Sequence, residues 1–372
     1  MPLRVPLRVL HCIYDDPANP WVGGGGGVRV REIYRRLAGA VDATVATGNY
    51  PGAHAGLVDG VRYVRLGARA PYAWSRATYA RAAGRLLREA PYDAAVVDFS
   101  AYAPVALPPG RPVGVTVHHL TGPTARARWG RILGRVVDRV ERRALRRARA
   151  LTVDVRAMIV PVAERAAPNA VIDVVPAGVP DALFALERRP AAGHLLYFGR
   201  LDVFQKGLDT LLAALAELVR DRPALELRLA GRGRDGGRVR ALAESLGVAA
   251  RVRVLGAVSD AERCALLAGA AVQVLPSRFE GFGLAAAEAM AAAVPLVATA
   301  VGALPEVVDP PAGGVLVPPN DSAALARAIA ALLDDPAAAA ALGASARRSA
   351  ARFRWDVVAD EHLAFLRRVA GC

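Results

Sequence analysis

Short β-branched runs alternate with longer Ala, Leu and Arg segments of helical period along this chain, and the whole alternation occurs twice. Neighbouring parallel strands need a long crossover, usually a helix, so the pattern predicts βα units instead of a sandwich or a bundle. In the first half, strands are expected at Leu7–Ile13, Ala43–Thr47, Val61–Val64, Ala94–Val97, Val113–Val117, Leu151–Val153 and Ile172–Val175, with helices at Val28–Ala38, Tyr79–Glu89 and about Thr124 to Arg149. Prolines, a glycine and charges between Pro176 and Gly193 then break the rhythm. It resumes with strand His194–Phe198 and helix Leu208–Arg220 and continues to helix Ser322–Leu333.

The fold class expected is therefore α/β, with two Rossmann-like, doubly wound domains facing a central cleft. Residues 1–180 form the first domain, 181–193 a linker, and 194–354 the second domain. Residues 355–372 carry an amphipathic helix whose resting place the pattern leaves open.

Composition excludes several classes. No apolar run approaches the roughly 20 residues of a membrane span. Cys12, Cys264 and Cys372 are far apart and odd in number, which indicates neither a disulfide framework nor a zinc site. The start, Met1 to Ile13, has the interruptions of Arg4 and Arg8 and no secretory leader pattern, so a cytoplasmic protein is expected. The net charge of +14 points towards polyanions at first sight. Lys206, however, is the only lysine among 48 basic residues. This is a bias towards arginine, and no nucleic-acid partner is expected. One retained ammonium in such a chain marks either a chance survivor or a site that needs a compact point charge.

The strongest chemical stretch runs from Pro276 through Glu280, Gly281, Phe282, Gly283 and Leu284 to Glu288. A strand ends, glycines allow close backbone approach, and a helix begins with free N–H groups, which suits a phosphate. Glu280 precedes the helix and Glu288 lies about one turn inside it, leaning back towards its start. Carboxylates beside an anion site make sense when they meet hydroxyls, and sugar hydroxyls or a ribose diol meet that need. An ordinary helix acid is the plainer reading of Glu288. A second cluster, Gly199-Arg200-Leu201-Asp202 and Gln205-Lys206-Gly207, puts two cations around the next strand-to-helix connection. A diphosphate would neutralise both.

Gly23 to Gly27 lie between the first strand and first helix, a place for a phosphate or sugar contact or simply a loop. After strand Val113–Val117 come His118 and His119. Only one can point into a cleft if the strand persists, and His118 is the choice, as a hydrogen-bond partner for a sugar hydroxyl. Gly231 to Gly236 match GxGxxG, yet on the second strand of their half and with no acid about 20 residues on, so they are read as a decoy and not a nicotinamide site.

These stretches resemble the retaining glycosyltransferases of the GT-B fold, family 4, over essentially the whole chain. The family's two glutamates with seven residues between them correspond to Glu280 and Glu288 within PSRFEGFGL…EAM. The resemblance implies a nucleotide diphosphate sugar as donor, no cofactor and no metal. It implies that Arg200 and Lys206 hold the diphosphate, that Glu288 binds the ribose, and that Glu280 with the Gly281–Gly283 amides holds the transferred sugar. Gly199 and Leu284 join this donor set, and Gly256–Val258 resembles the turn beside the base. Gly24, Gly25, Gly26 and Gly27 resemble the acceptor-side loop. His118 resembles the catalytic-site histidine and is grouped with Arg200, Lys206 and Glu280 as catalytic. Departures are His119 for the usual Asp, Ala177 for the usual Asn, and Ala293 for the usual Gly before Val294-Pro295.

Other classes stay in view: a sugar-nucleotide epimerase or hydrolase on the same architecture, or a non-catalytic basic module binding membrane or nucleic acid. The acceptor is a sugar, a glycan or a lipid-linked molecule. Between Arg126 and Arg149, arginines at 128, 131, 135, 139, 142, 146 and 149 recur at three- and four-residue spacing. Ile132, Leu133, Val136, Val137, Val140 and Leu145 are expected to dock that helix on the sheet. The arginine face is then either solvated or set against anionic lipid at the inner membrane face.

Overall fold

The computed structural model describes residues 5–22, 24–189 and 193–371, with the side chains at 123, 124 and 127–129 excepted. Arg4, Gly23, Cys372 and the Arg128 side chain lie outside that set. The chain divides into two compact units, residues 1–178 with 355–372, and residues 179–354.

The first unit is built from β1 (Leu7–Cys12), α1 (Gly25–Arg36), β2 (Val41–Gly48), β3 (Gly56–Val58), β4 (Val61–Leu66), α2 (Tyr72–Glu89), β5 (Ala94–Asp98), β6 (Val113–Val117), α3 (Thr121–Leu145), β7 (Ala150–Val153), α4 (Ile159–Ala163) and β8 (Val171–Val174). The second contains α5 (Asp181–Phe184), β9 (His194–Phe198), α6 (Val203–Lys206), α7 (Leu208–Asp221), β10 (Leu227–Ala230), α8 (Gly236–Ser245), β11 (Val252–Gly256), α9 (Asp260–Gly269), β12 (Ala270–Leu275), α10 (Leu284–Ala291), β13 (Leu296–Thr299), α11 (Leu304–Val308), β14 (Val315–Val317), α12 (Ser322–Asp334) and α13 (Pro336–Ala350). Last comes α14 (Trp355–Ala370).

Strand order in the first sheet is β3-β4-β2-β1-β5-β6-β7-β8, and in the second β11-β10-β9-β12-β13-β14. All pairs are parallel except β3 with β4. Strands covered on both faces read as unbroken apolar runs, as in β5, where residues 94–97 are all buried. The order reverses beside β1 in one sheet and beside β9 in the other. Loops leaving the carboxyl ends of strands diverge at these points and open a crevice.

The stretch expected as a linker belongs largely to the second unit. Leu183 and Phe184 are buried, and Arg188 and the Arg189 amide bond the carbonyls of Leu267, Ala270 and Ala268. The final helix α14 joins the first unit. Its Val358, Phe365 and Leu366 are buried with Val9, Ile33, Val45 and Val96, and a side chain on Gly114 would strike the Phe365 ring.

Two helices depart from expectation. Helix α1 begins at Gly25, so three of the glycines form its first turn; a Cβ on Gly27 would lie 2.8 Å from the Pro17 ring. Helix α3 is interrupted at Gly130, with φ 87° and ψ 174°. The apolar residues of α3 do not all dock: Ile132 is 81% exposed, Val136 51% and Leu133 43%, while Val137 and Leu145 are buried. The break at Gly130 rotates what an unbroken helix would have kept on one stripe. Among the described residues no helix is long and apolar enough to cross a membrane. Cys12 is buried, which pushes its thiol up to about 12, and Cys264 is half-buried; neither is disulfide-bonded.

Candidate active site

Each unit has a cavity where its strands end. In the second unit a cavity of about 450 Å³ is lined by residues that include Gly199, Arg200, Lys206, Glu280, Leu284 and Glu288, six of the expected donor residues, brought together from the β9 and β12 connections and α10. Tyr197, Arg263 and Ser277, given no role from sequence, line it as well.

The local construction explains the convergence. Asp202 caps α6 by accepting from the Gln205 amide, and Gly207 ends it in the left-handed region at φ 61°. A Cβ on Gly207 would collide with the Pro276 carbonyl, so glycine lets the Lys206 turn press against the β12 connection. Arg278 holds the two together: its amide donates to Gln205 O (2.9 Å), and its guanidinium to Phe204 O (2.8 Å) and Asp209 Oδ2 (2.9 Å). Tyr197 donates to the Arg200 carbonyl (2.7 Å) and fixes that turn.

Lys206 Nζ donates to Glu280 Oε2 at 2.6 Å, and the Ser277 hydroxyl donates to the same oxygen at 3.2 Å. The two cations read from the sequence are therefore not left to repel one another. Arg200 is exposed, and its guanidinium has no bonding partner among the described residues. Glu288 is buried inside α10 and accepts from Arg263 Nη1 at 2.7 Å. Burial raises its pKa to about 7, outweighing the lowering by Arg263. The first residues of α10, Leu284 and Ala285, also line the cavity, so the helix start with its unpaired N–H groups opens on it. Gly283 caps that helix, and Phe282 packs edge-on against Phe353 (5.5 Å). Gly281, Phe282, Gly283, Gly256 and Val258 are not among the lining residues.

The GxGxxG match has a packing explanation. Gly231 donates its N–H to Gly256 O (2.7 Å), and a Cβ on it would collide with the Gly199 carbonyl. The glycines thus let β10 approach β9.

In the first unit a cavity of about 410 Å³ is lined by Asp15, Gly26, Arg76, Asp98, His118 and His119, among others. His118 ends β6 between the ends of β5 and β7. Its ring donates from Nδ1 to Asp154 Oδ2 (2.9 Å) and from Nε2 to Asp98 Oδ2 (3.1 Å). Burial opposes the charged ring, but Asp154 and Asp98 outweigh it and lift the pKa to about 10. His118 is thus an imidazolium near neutral pH, with both nitrogens engaged. The direct hydrogen bond to a sugar hydroxyl expected of it is not available in this arrangement.

The carboxylate oxygens at the cavity belong to Asp98 and Asp15. Asp98 is buried, yet His11 and His118 hold it well below the usual carboxylate range against that burial. Asp15 has its pKa raised by burial and by Asp98. Its Oδ2 lies 3.2 Å from where a Cβ on Gly24 would sit and 3.6 Å from one on Gly26. A carboxylate, and not a free anion site, therefore faces the glycine-rich start of α1. The bonds continue inward: His11 donates from Nε2 to Asp98 Oδ1 (3.0 Å) and its Nδ1 is hydrogen-bonded to the Tyr34 hydroxyl (2.8 Å), which lies 3.3 Å from His362 Nε2 on α14.

Comparison with known proteins agrees with this arrangement. Residues 192–335 match the family described as Glycosyl transferases group 1, and residues 24–178 match the Glycosyl transferase 4-like domain. The MMP alpha-(1->4)-mannosyltransferase of Mycolicibacterium hassiacum is 40% identical over 139 residues, 37% of this chain and 34% of that protein. A D-inositol 3-phosphate glycosyltransferase of Segniliparus rotundus is 36% identical over 210 residues, 53% of this chain and 46% of that one. The aligned stretches thus span less than half the length of these relatives. Among solved structures, the sucrose-phosphate synthase of Thermosynechococcus elongatus superposes with a TM-score of 0.81 over 98% of this chain and 99% of its own, at 24% identity. Anabaena HepE, solved with UDP and glucose, gives 0.75 over 97% and 100%, at 19% identity. Motif, fold and family matches coincide, and the chain belongs to the group 1 glycosyltransferases, family 4, with the GT-B fold.

Proposed function

We propose that the chain is a retaining, metal-independent glycosyltransferase that takes its sugar from a nucleotide diphosphate donor. The observation that carries the reading is the gathering of Arg200, Lys206, Glu280, Glu288 and the start of α10 on one cavity. A diphosphate would draw on Arg200, Lys206 and the helix amides, which supply the charge stabilisation a cation gives in other sites. Glu288, once ionised, would accept from a ribose diol, and Glu280 from the transferred sugar. Support for a sugar nucleotide comes from HepE, which was solved with UDP and glucose, and from relatives named as mannosyl- and glycosyltransferases.

In the proposed step the acceptor oxygen bonds to the sugar's anomeric carbon on the face the phosphate leaves. The carbon–oxygen bond to phosphate breaks with its electrons passing to the phosphate oxygen, which takes the acceptor's proton. No protein nucleophile is needed. Asp15 and Asp98 would meet acceptor hydroxyls in the first unit, with His118 holding Asp98 ionised and in place.

A thermal-shift panel of sugar nucleotides and nucleoside diphosphates tests the reading. A ligand at about 100 times its dissociation constant adds about 2.7 kcal/mol to stability. A shift that disappears in Lys206→Ala is expected. No shift with any base, or release of free sugar unchanged by every candidate acceptor, would favour a binding module or a hydrolase instead.

A second reading concerns location. Ile132 and Val136, largely exposed, stand beside the exposed Arg131, Arg135 and Arg139 on α3. Apolar side chains flanked by cations fit the boundary of an anionic lipid surface. We propose peripheral association through this face, bringing the enzyme to a lipid-linked acceptor.

A further inference from the structure

A further cavity of the second unit, about 860 Å³, is not the donor cavity. It lies where β9, β12 and β13 begin, at the opposite edge of the sheet. Ala271 and Pro295 line it from the strand starts, Leu332 and Leu333 from α12, and Ala340 and Ala344 from α13.

Four arginines also line it, Arg188, Arg347, Arg348 and Arg354, and among the described residues no carboxylate does. Two have a structural task. Arg188 donates to the Leu267 and Ala270 carbonyls, both at 2.5 Å, at the end of α9. Arg347 donates to Ala291 O (3.0 Å) at the end of α10 and to Leu186 O (2.6 Å). Carbonyls satisfy the donors and the helix ends offset part of the charge, but a neutral partner cannot cancel a full cation. Burial and the like charge of Arg347 hold Arg188 down to about 10. Arg354 lies over the Phe184 ring at 4.2 Å, and Arg348 is exposed; none of the four has an ion pair among the described residues.

Uncancelled like charge around apolar walls selects the occupant. A neutral apolar molecule would leave the cations unrelieved, and a bare inorganic anion would leave the alanine and leucine walls facing water. We propose that this cavity is a second ligand site, separate from the donor cavity, for an amphiphilic anion: one phosphate head met by Arg348 and Arg354, on an apolar body against α12 and α13. The volume falls in the range of small-molecule sites.

Titration calorimetry on the full chain tests this with octyl phosphate below its micelle concentration, inorganic phosphate and octanol. Octyl phosphate is expected to bind at least about tenfold more tightly than either of the others. Arg348→Glu combined with Arg354→Glu should weaken it by about tenfold or more, and Ala340→Trp, which fills the cavity, should abolish it. Lys206→Ala and a saturating nucleoside diphosphate should leave it unchanged. The proposal falls if octyl phosphate does not bind, if it binds no better than octanol or phosphate, or if the nucleoside diphosphate displaces it. Indifference to both the charge reversal and Ala340→Trp would also overturn it. None of these outcomes depends on the donor reading.

Discussion

Lys206 and Glu280 meet at 2.6 Å in the cavity at the strand ends of the second unit, with side chains 15% and 17% exposed. The only ammonium outside the chain's arginine bias is thus spent on the first glutamate of the seven-residue-spaced pair. A donor phosphate would compete with Glu280 for that proton-rich group, and the released carboxylate would be free to accept from a sugar hydroxyl. Lys206→Ala is expected to cost on the order of 2–4 kcal/mol of transition-state stabilisation, with circular dichroism unchanged. Lys206→Arg should not restore it, because a planar fork does not replace a compact charge in this turn. Steady-state turnover of the selected donor checks both, and near wild-type turnover in Lys206→Ala would sink the assignment.

On the proposed reading, Glu288 should make donor binding depend on pH. Its folded pKa of about 7 lies above the ordinary carboxyl value, so the protonated form is the one the fold favours. That favourable contribution is present at acid pH and is lost as pH rises through about 7. If Glu288 binds ribose as proposed, recognition needs the ionised form, so affinity for a sugar nucleotide should strengthen between pH 6 and 8, while Glu288→Gln flattens the profile. A sugar nucleotide is the right probe because its diphosphate diester does not titrate in that range. Equal slopes for the two proteins would refute the role.

If Arg200, Lys206 and the start of α10 carry the diphosphate alone, chelation has nothing essential to remove. Turnover is expected to persist in excess EDTA. Abolition by EDTA with recovery on adding magnesium or manganese would show the phosphate site to be wrongly drawn.

Much of this site could be read from the chain because its residues are adjacent in sequence to strand ends, where α/β sheets bind ligands. Lys206, Glu280 and Glu288 stand in short loops or within about one turn of a helix start, where geometry follows from the glycines and caps beside them. Arg263 could not be found that way. Its acids nearby in sequence are Glu262 and Asp260, the latter a local ion-pair partner, whereas its buried partner Glu288 lies 25 residues on, a pairing made only by packing α9 beside α10. Asp98 and Asp154 did carry a signal, each ending an apolar strand as His118 does, but a single acid at a strand end is indistinguishable from a turn residue. The hairpin between β3 and β4 was not read from the sequence, although its turn residues Asp59 and Gly60, both at positive φ (52° and 79°), are a pair that tight two-residue turns favour. Helix α13 was hidden because its alanines show no sharp apolar stripe, and the exposed apolar residues of α3 followed from a break at Gly130 that helical spacing does not reveal.

Ala293 tests the cost of one departure from the family pattern. It stands where glycine is usual and adopts φ 54°, a left-handed conformation that carries a Cβ penalty of roughly 1–2 kcal/mol. Glycine would remove the penalty and add back about 0.4–1 kcal/mol of unfolded-state freedom. Ala293→Gly is therefore expected to stabilise the protein by about 0.5–1 kcal/mol. The denaturation midpoint should rise, and a lower midpoint would mean that the methyl group contributes packing the backbone conformation does not disclose.

The outer surface of α3 separates a solvated helix from a membrane face. Arg131, Arg135 and Arg139 are exposed, as solvation alone would have them, but so are Ile132 and Val136, which solvation does not explain. If the face rests on lipid, each cation near an anionic surface contributes roughly 1 kcal/mol, and the apolar side chains enter the headgroup boundary. Co-sedimentation should then show binding to anionic vesicles and not to neutral ones, weakened by salt. Reversing Arg131, Arg135 and Arg139 to Glu should abolish it, and Ile132→Ser with Val136→Ser should weaken it without altering its dependence on salt. Since all five side chains face outward, both variants should keep the wild-type denaturation midpoint and sugar-nucleotide affinity. Equal partitioning of wild type and both variants would leave α3 as a solvated helix, and the acceptor would then be sought among soluble sugars.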